Sequence, residues 1–396
     1  MIRALFTSMF ARLPLLTLAC ESLVLSVRPG QAAEWQPAHT TNGQLVIQAG
    51  LPLAVVSGNA AEIGSAEGEL FKPRMAALLG LMSLQPRLLV ARQGATFTAT
   101  IAAIAEDDRS RLTALATTAG ITPRTLIEAN ALVDAQCSAV VALPATNLPN
   151  GGDRPLRVAR NMDFFPAAAL GPGTVLEVIR LTGKRPYATI GWPGSAAVIS
   201  GMNDAGLVAC ILLNHDGDAL PAGEPLGLRL AHILQEDATV EAAVQRFNAT
   251  PVASSHYVLL ADALSATVVW RGRDGLHQDV PQGGWLTATN GRRAQTQPQD
   301  ERGICLRNLC TTTAVPDAAW MRQVLTASYM IGINAQSMVF EPATCTVELA
   351  VGTAQHPAAK ATWWRLSLTT LFAGGDADAA VVEQLPASLP LPHYTR

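Results

Sequence analysis

The clearest candidates for catalytic residues in this sequence are a cysteine and, further along the chain, an arginine and an aspartate. Cys137 stands where a helical pattern gives way to strand-like runs, and Arg160 and Asp163 occupy one such run. A thiolate is a strong nucleophile, and nearby positive charge favours it over the thiol. The pattern indicates a cysteine nucleophile beside a charged pair. The same residues also fit a buried structural cysteine next to a surface ion pair.

Several other catalytic motifs are absent from the sequence. It contains no Gly-x-Ser-x-Gly, no Ser-x-x-Lys, no glycine-rich phosphate loop and no His-Glu-x-x-His. The segment from Asn214 to Asp218 carries oxygen ligands of the kind that bind metals, but no second cluster completes a site. We interpret that segment as a loop and expect neither a metal nor a cofactor.

The elements that must position Cys137 change character at that residue. From Gly64 to Asn130 the chain is rich in Ala and Leu and reads as helical, whereas short β-like runs separated by turn residues follow. The first of these runs cover 138–143, 156–165, 174–181, 186–192, 196–200 and 207–213. Turns are expected at Asn150-Gly151-Gly152-Asp153, Thr182-Gly183-Lys184 and Asn203-Asp204-Ala205-Gly206, so neighbouring strands should be antiparallel.

A hairpin near Asn150 would place the run 156–165 beside the run 138–143. Residues three apart on a regular strand point to opposite faces. A bulge or twist is therefore needed if Arg160 and Asp163 serve the same site.

The order of elements predicts the fold class. Helices are expected again at 226–235 and 239–247, and further strands at 256–261, 267–271, 286–289, 338–341 and 346–351. Antiparallel sheets with segregated helices indicate an α+β layered fold rather than a doubly wound sheet.

Composition agrees with a folded chain that does not bind nucleic acid. The 396 residues are 49% hydrophobic and only 15% charged, which implies a large core. The net charge of −3 provides no basic surface for phosphates.

The N-terminus resembles a targeting segment. Arg3 and Arg12 precede apolar runs at 13–19 and 23–27, and small residues at 30–33 offer a cleavage site. Glu21 and Pro14 interrupt the run, which argues against a membrane-spanning helix. We interpret residues 1–33 as a signal peptide and expect a secreted or periplasmic protein; lipidation of Cys20 stays open, as does an N-terminal core or amphipathic segment.

Five cysteines remain after residue 33, an odd number that leaves at least one thiol unpaired. Cys305 and Cys310 are near enough in sequence to form a bridge, but sequence alone does not fix the pairing.

A set of short motifs spread through the chain resembles one known superfamily. The motifs are Cys137-Ser138, Arg160-Asn161-Met162-Asp163, Gly201-Met202-Asn203-Asp204-Ala205-Gly206-Leu207, Thr289-Asn290, Glu62-Ile63-Gly64 and Glu341-Pro342-Ala343. In this order they resemble the N-terminal-nucleophile cysteine hydrolases, which include choloylglycine hydrolases, acid ceramidase, N-acylethanolamine amidase and isopenicillin N acyltransferases. The resemblance implies an αββα fold with two packed antiparallel sheets.

The resemblance also implies a precursor that cuts itself between Gln136 and Cys137. The new α-amino group, with an ordinary pKa of about 7.7–8.0, would then accept the thiol proton. By the same resemblance, Asp163 would orient that amine and Arg160 would favour the thiolate.

Three further residues receive roles from the resemblance. Asn290 would donate to the oxyanion, Asn214 would match a second family asparagine, and Arg302 would match the last family arginine near the substrate. Asn203 is instead expected to hold its hairpin turn.

These implications divide the chain into a signal peptide (1–33), a mostly helical pro-region that becomes the α chain (34–136) and a catalytic β chain (137–396). The expected activity is amide hydrolysis or acyl transfer on a small N-acyl amide through an acyl-thioester. The two chains are expected to stay associated, and a homo-oligomer is possible. The alternatives are a catalytically silent binding protein of the same fold and a papain-like thiol hydrolase; the latter is disfavoured because no Gly-x-Cys-Trp context appears.

Overall fold

The computed structural model describes most of the chain beyond the first 33 residues. The described ranges are 34–82, 96–131, 136–145, 153–214, 223–290, 300–312 and 316–388. The expected signal peptide lies outside the described residues, as do the expected turn at Asn150-Gly151-Gly152-Asp153 except for Asp153 and the expected loop from Asn214 to Asp218 except for Asn214.

Within these ranges the strands form two sheets, and the first contains ten strands. In spatial order they are β1 (Ala38–Thr40), β2 (Gly43–Gln48), β3 (Leu51–Gly58), β6 (Val175–Leu181), β7 (Tyr187–Gly191), β8 (Ser200–Asn203), β9 (Val208–Leu212), β10 (Tyr257–Ala261), β11 (Ala266–Gly272) and β12 (Gly275–Asp279). All neighbouring pairs are antiparallel except β3 and β6. Parallel strands need a long crossover, and here the chain between β3 and β6 supplies it.

The second sheet contains seven antiparallel strands in the described part of the chain. In spatial order they are β13 (Trp285–Thr289), β4 (Gln136–Ala142), β5 (Arg157–Asp163), β14 (Asn334–Glu341), β15 (Thr346–Val351), β16 (Trp363–Ser367) and β17 (Val382–Leu385). Cys137 and Arg160 therefore lie on neighbouring central strands of this sheet.

Helices cover both sheets. The longer ones are α1 (Ala60–Met82), α2 (Glu106–Ala119), α3 (Pro123–Asn130), α5 (Leu226–Glu236), α6 (Val240–Ala249), α7 (Glu301–Thr312) and α8 (Ala318–Ser328); the short α4 (Ala167–Leu170) and α9 (Thr369–Phe372) lie in connections. Helices α1, α5 and α6 pack against the first sheet, and α7 and α8 pack against the second. The two sheets face each other across a continuous apolar core, so the layers run helix, sheet, sheet, helix as expected.

Three strands precede the helices and extend the first sheet, which the sequence analysis did not predict. Residues 51–56 form an apolar run that is buried on both faces of β3. Such a run gives no alternating pattern, and its period does not distinguish a strand from a buried helix. The segment 34–136 is thus still rich in helix, but it is also part of the first sheet.

Two predicted turns are confirmed, and one predicted strand is displaced. Gly183 and Gly206 both adopt positive φ, of 76° and 78°, at the turns that join β6 to β7 and β8 to β9. The strand expected at 196–200 instead begins at Ser200. Ala196 and Ala197 donate their backbone N–H groups to the side chain of Asn130 rather than to a strand.

Two glycines of the recognised motifs allow close backbone contacts. A Cβ at Gly64 would lie 2.1 Å from the carbonyl oxygen of Arg111, so a side chain there would push α1 away from α2. A Cβ at Gly206 would lie 2.3 Å from the carbonyl oxygen of Pro342. The motifs at 201–207 and 341–343 are therefore in direct contact.

The five described cysteines form no disulfide with one another. Cys305 and Cys310 both lie on α7, where residues five apart point in different directions around the helix. The bridge that their spacing allowed does not form.

Among the described helices, none combines the length and the apolar character that crossing a bilayer requires.

An ion-pair cluster joins α2 to α5. The Nδ1 atom of His232 lies 2.6 Å from Glu224, and its Nε2 atom lies 3.0 Å from Asp108. These carboxylates raise the pKa of His232 from 6.5 to about 10, against the opposing effect of its burial. The cluster connects the segment before Cys137 to the segment after it.

The free energy of unfolding should therefore depend on pH through His232. A raised pKa in the folded state means that the contribution is complete below pH 6.5 and is lost as the pH rises through about 10. We expect the melting temperature of His232→Gln to fall less between pH 7 and 10 than that of the wild type. His277→Gln, on the half-buried strand β12, is the control and should keep the wild-type slope; equal slopes in all three proteins would contradict this account.

Candidate active site

Cys137 lies at the start of β4, in the interior between the two sheets. Its side chain is fully buried, and its thiol donates to the carbonyl oxygen of Ile211 at 3.4 Å, on β9 of the opposite sheet. Burial raises the pKa of the Cys137 thiol, and the charge of Arg160 opposes this rise. At neutral pH the thiol of the uncut chain is therefore protonated and must give up its proton as it attacks.

Arg160 is the side chain that contacts the sulfur. Its Nη2 donates to the Cys137 Sγ at 2.8 Å and to the carbonyl oxygen of Ile211 at 2.6 Å. Its Nη1 donates to the carbonyl oxygen of Ile199 and to the hydroxyl of Ser200. Arg160 is fully buried, so its positive charge acts on the thiol with little screening by water.

Asn290 meets the backbone of the nucleophile. In the ladder between β13 and β4, Thr289 pairs with Ser138, so the next residue of β13 falls beside Cys137. The Cys137 N–H donates to Oδ1 of Asn290 at 2.7 Å. That nitrogen would become the α-amino group if the chain were cut before Cys137.

The amide nitrogen of Asn290 donates to the carbonyl oxygen of Leu213 at 2.7 Å. One N–H of that group is thus already used, and the second would have to serve an oxyanion. The oxyanion role of Asn290 stays a prediction.

Arg302 connects Asn290 to Asp163. Its Nη2 donates to Oδ1 of Asn290 at 2.9 Å, and its Nη1 donates to Oδ2 of Asp163 at 3.2 Å. Arg302 was expected near the substrate; the structure places it in contact with two other candidate residues, on α7.

Asp163 is buried and lies opposite Gln136 in the ladder between β4 and β5. Asn334 donates to its second oxygen at 3.0 Å. Burial raises the pKa of Asp163 to about 6, although Arg302 and its hydrogen bonds act in the other direction. Asp163 therefore sits beside the bond that would be cut, in a state sensitive to mild acid.

The register of β5 with β4 is unbroken from Arg160 to Asp163, so no bulge brings the two residues to one face. Arg160 points between the sheets, and Asp163 reaches the nucleophile through Arg302 and Asn290. The irregularity lies instead on β14, where the register shifts between Asn334 and Gln336. Two faces of one strand thus contribute to a single site.

Asn214 follows β9 and makes its described contacts at the edge of the site. Its side chain donates to the carbonyl oxygen of Ser255 at 3.0 Å, while the neighbouring Leu213 carbonyl accepts from Asn290. Its catalytic role stays a prediction.

Sequence reasoning missed Ser200, Cys210 and Asn334. Ser200 contacts Arg160, and Asn334 contacts Asp163. Burial raises the pKa of Cys210 to about 11, with Arg160 opposing that rise. Nothing in their sequence context marks them, because only the pairing of strands and sheets brings them to the site.

Asp108, Glu224 and His232 could in principle ligate a metal ion within the described part of the chain. Their separations of 2.6 and 3.0 Å are hydrogen-bond distances between an imidazole and two carboxylates, which favours an ion-pair cluster.

Comparison with known proteins gives one family match. Residues 150–303 match the family model of acyl-coenzyme A:6-aminopenicillanic acid acyl-transferase. A comparison with curated proteins found no match.

Several solved structures are similar to this chain at low sequence identity. An N-acylethanolamine-hydrolyzing acid amidase ortholog from Caenorhabditis elegans is 18% identical, with 52% of this chain and 93% of that chain covered and a TM-score of 0.43. Penicillin V acylase from Agrobacterium tumefaciens is 17% identical, with 64% and 100% covered and a TM-score of 0.36. A mutant conjugated bile acid hydrolase from Clostridium perfringens is 10% identical, with 65% and 100% covered and a TM-score of 0.39.

The family match spans Arg160, Asp163, Asn290 and Arg302, which the structure joins around a cysteine at the start of a central strand. Two facing sheets between helical layers surround that cysteine. Over residues 150–303 the chain is therefore similar to the acyl-coenzyme A:6-aminopenicillanic acid acyl-transferase family.

Proposed function

We propose that this protein is an exported, self-processing cysteine enzyme that hydrolyses a linear N-acyl amide or transfers its acyl group. Cys137 is the nucleophile, and the substrate is a small molecule. The observation that carries the proposal is the Cys137 environment: its thiol accepts from Arg160, and its backbone nitrogen donates to Asn290. Export to the periplasm or the exterior follows from the sequence of residues 1–33 alone.

Self-processing would create the base that the thiol lacks. The Cys137 sulfur attacks the carbonyl carbon of Gln136, the peptide C–N bond breaks, and the nitrogen takes up the thiol proton. Water then hydrolyses the thioester, which leaves a carboxylate on Gln136 and a free thiol and α-amino group on Cys137. No cofactor takes part in this sequence.

Catalysis would use the sulfur and the nitrogen of Cys137 again. The α-amino group accepts the thiol proton, the thiolate attacks the amide carbon of the substrate, and the amine leaves with that proton. The acyl-thioester then passes its acyl group to water or to an acceptor amine. Asp163, Arg302 and Asn290 form a hydrogen-bonded path to the nitrogen, which supports a role in orienting it.

After cleavage, the two chains should stay together as α (34–136) and β (137–396). Strand β3 of the α chain pairs with β6 of the β chain inside the first sheet. Arg111 of α2 forms a buried ion pair with Glu67 and donates to Tyr187 of β7. Separation would expose a sheet edge and these buried charges to water.

The test is turnover and trapping with a panel of N-acyl amides that vary in acyl length and amine. We expect release of amine and a mass increase equal to the acyl group on the peptide that begins with Cys137. The Cys305→Ala variant, which removes a thiol on α7, is the control and should behave like wild type. A processed protein that binds these amides without turning any of them over would favour the silent binding protein.

A further inference from the structure

Asn130 is a buried asparagine at the end of α3, seven residues before Cys137 in sequence, and the proposed mechanism does not use it. It is 1% exposed, and its side chain makes four hydrogen bonds. Its Nδ2 donates to the carbonyl oxygens of Leu126 and Gly194, both at 2.9 Å. Its Oδ1 accepts from the N–H groups of Ala196 and Ala197 at 2.7 and 3.2 Å.

Three of these bonds hold the loop 194–197, which lies between β7 and β8. That loop is buried, and buried backbone groups need partners. Asn130 supplies them, although it belongs to the segment before the proposed cleavage point. The loop position therefore depends on a residue of the future α chain.

The loop leads directly to the acceptors that hold Arg160. Ile199 follows it by two residues, and its carbonyl oxygen accepts from Nη1 of Arg160. Ser200 accepts from the same nitrogen through its hydroxyl. Because hydrogen bonds weaken steeply with distance, a shift of the loop would loosen the hold on Nη1 and so change how the guanidinium, which Ile211 also binds, meets the Cys137 sulfur.

We propose that Asn130 is a positioning residue for the nucleophile, which acts from the α chain through the loop 194–197 and Arg160. The expected effect of Asn130 on turnover rests on the proposed function, whereas its expected effect on the pKa of the Cys137 thiol does not. The α chain would then take part in tuning the site and would not serve only as core for the sheets.

Asn203 offers a matched control. It is also fully buried, its Nδ2 donates to two carbonyl oxygens, and its Oδ1 accepts from two backbone N–H groups. Its partners lie at the turn after β8 and at the end of α5. Truncation of either asparagine removes hydrogen bonds of the same number and kind, so the loss in the free energy of unfolding should be similar.

The experiment compares Asn130→Ala and Asn203→Ala in the same processing state, established by intact mass. The titration of Cys137 is followed by NMR of protein labelled with ¹³Cβ-cysteine, with the signal assigned from Cys137→Ser. Arg160 lowers the pKa of this thiol, so Asn130→Ala should raise it by about half a unit or more, while Asn203→Ala should leave it unchanged. With a responsive amide, kcat should fall about 10-fold in Asn130→Ala with little change in KM.

An unchanged thiol pKa in a folded Asn130→Ala protein would overturn the inference, as would equal shifts in both variants. If Asn130→Ala does not fold, Asn130→Ser takes its place. Its hydroxyl retains part of the hydrogen bonding, so the pKa of the Cys137 thiol should rise by a smaller amount. An unchanged thiol pKa in Asn130→Ser would also overturn the inference. A shift of the thiol in a protein that cleaves no amide would uphold the inference and contradict the proposed function. Normal turnover of amides in a variant without the shift of the thiol pKa would contradict the inference and support the proposed function.

Discussion

Cys137→Ala should remain a single chain after removal of any signal peptide and should lose amide turnover by at least about 10⁴-fold. The reason is that one sulfur serves both the self-cleavage and the acyl-thioester, and no neighbouring group can replace a deleted nucleophile. The substitution removes one buried atom from a site that already contains polar groups, so we expect the fold to survive. Intact mass and an amide assay measure the two effects on the same sample.

The matched control is Cys210→Ala. Cys210 is also a fully buried thiol near Arg160, but it lies on β9 and is not preceded by the proposed cleavage bond. It should be cut normally and should retain turnover within a few-fold of wild type. Loss of processing in Cys210→Ala together with normal processing in Cys137→Ala would show that Cys210, and not Cys137, is the nucleophile.

Asp163→Asn should lower kcat by about 100-fold or more and should also slow self-cleavage. The amide cannot balance the charge of Arg302, so Arg302 would hold Asn290 and the Cys137 nitrogen less firmly. Gel analysis of samples quenched at successive times gives the rate of self-cleavage, and an amide assay gives kcat.

The ionisation of Asp163 predicts the acid side of the pH profile. Its pKa in the uncut chain is raised to about 6, so the carboxylate becomes protonated and loses its charge as the pH falls through that value. The self-cleavage rate of wild type should decline below pH 6, and Asp163→Asn should be slow at every pH without that inflection.

Asp237→Asn is the control, because Asp237 is also buried but its carboxylate pairs with Arg246 of α6 rather than with Arg302. It should lose stability but keep the wild-type inflection. The same inflection in Asp163→Asn would show that another group titrates.

The sequence was sufficient to predict the layered fold because most strands carry local signals. The runs at 207–213, 267–271 and 346–351 lie between glycine, asparagine or aspartate turns, and the corresponding strands β9, β11 and β15 appear within one or two residues of them. Strand β3 was missed because a strand buried on both faces has no alternation. Strand β1 was missed as well and is only three residues long. Helices α7 and α8 were missed as well; α7 mixes cysteines, arginines and glycine without a clear apolar face.

The site was only partly predictable for a similar reason. Cys137, Arg160, Asp163, Asn290 and Arg302 lie in or beside short motifs, and the structure joins them through direct contacts. Ser200 and Asn130 contribute through side-chain hydrogen bonds to residues distant in sequence, which leave no local signal in sequence. The role of Asn130 becomes visible only when α3 is placed against the loop 194–197.

The most direct test of the central claim is N-terminal sequencing combined with intact mass of the purified wild-type protein. The account predicts two associated chains, one that begins near Glu34 and ends at Gln136 and one that begins at Cys137 with a free α-amino group. A fully active protein that consists of one uncut chain beginning near Glu34 would contradict it, because the α-amino base would then not exist.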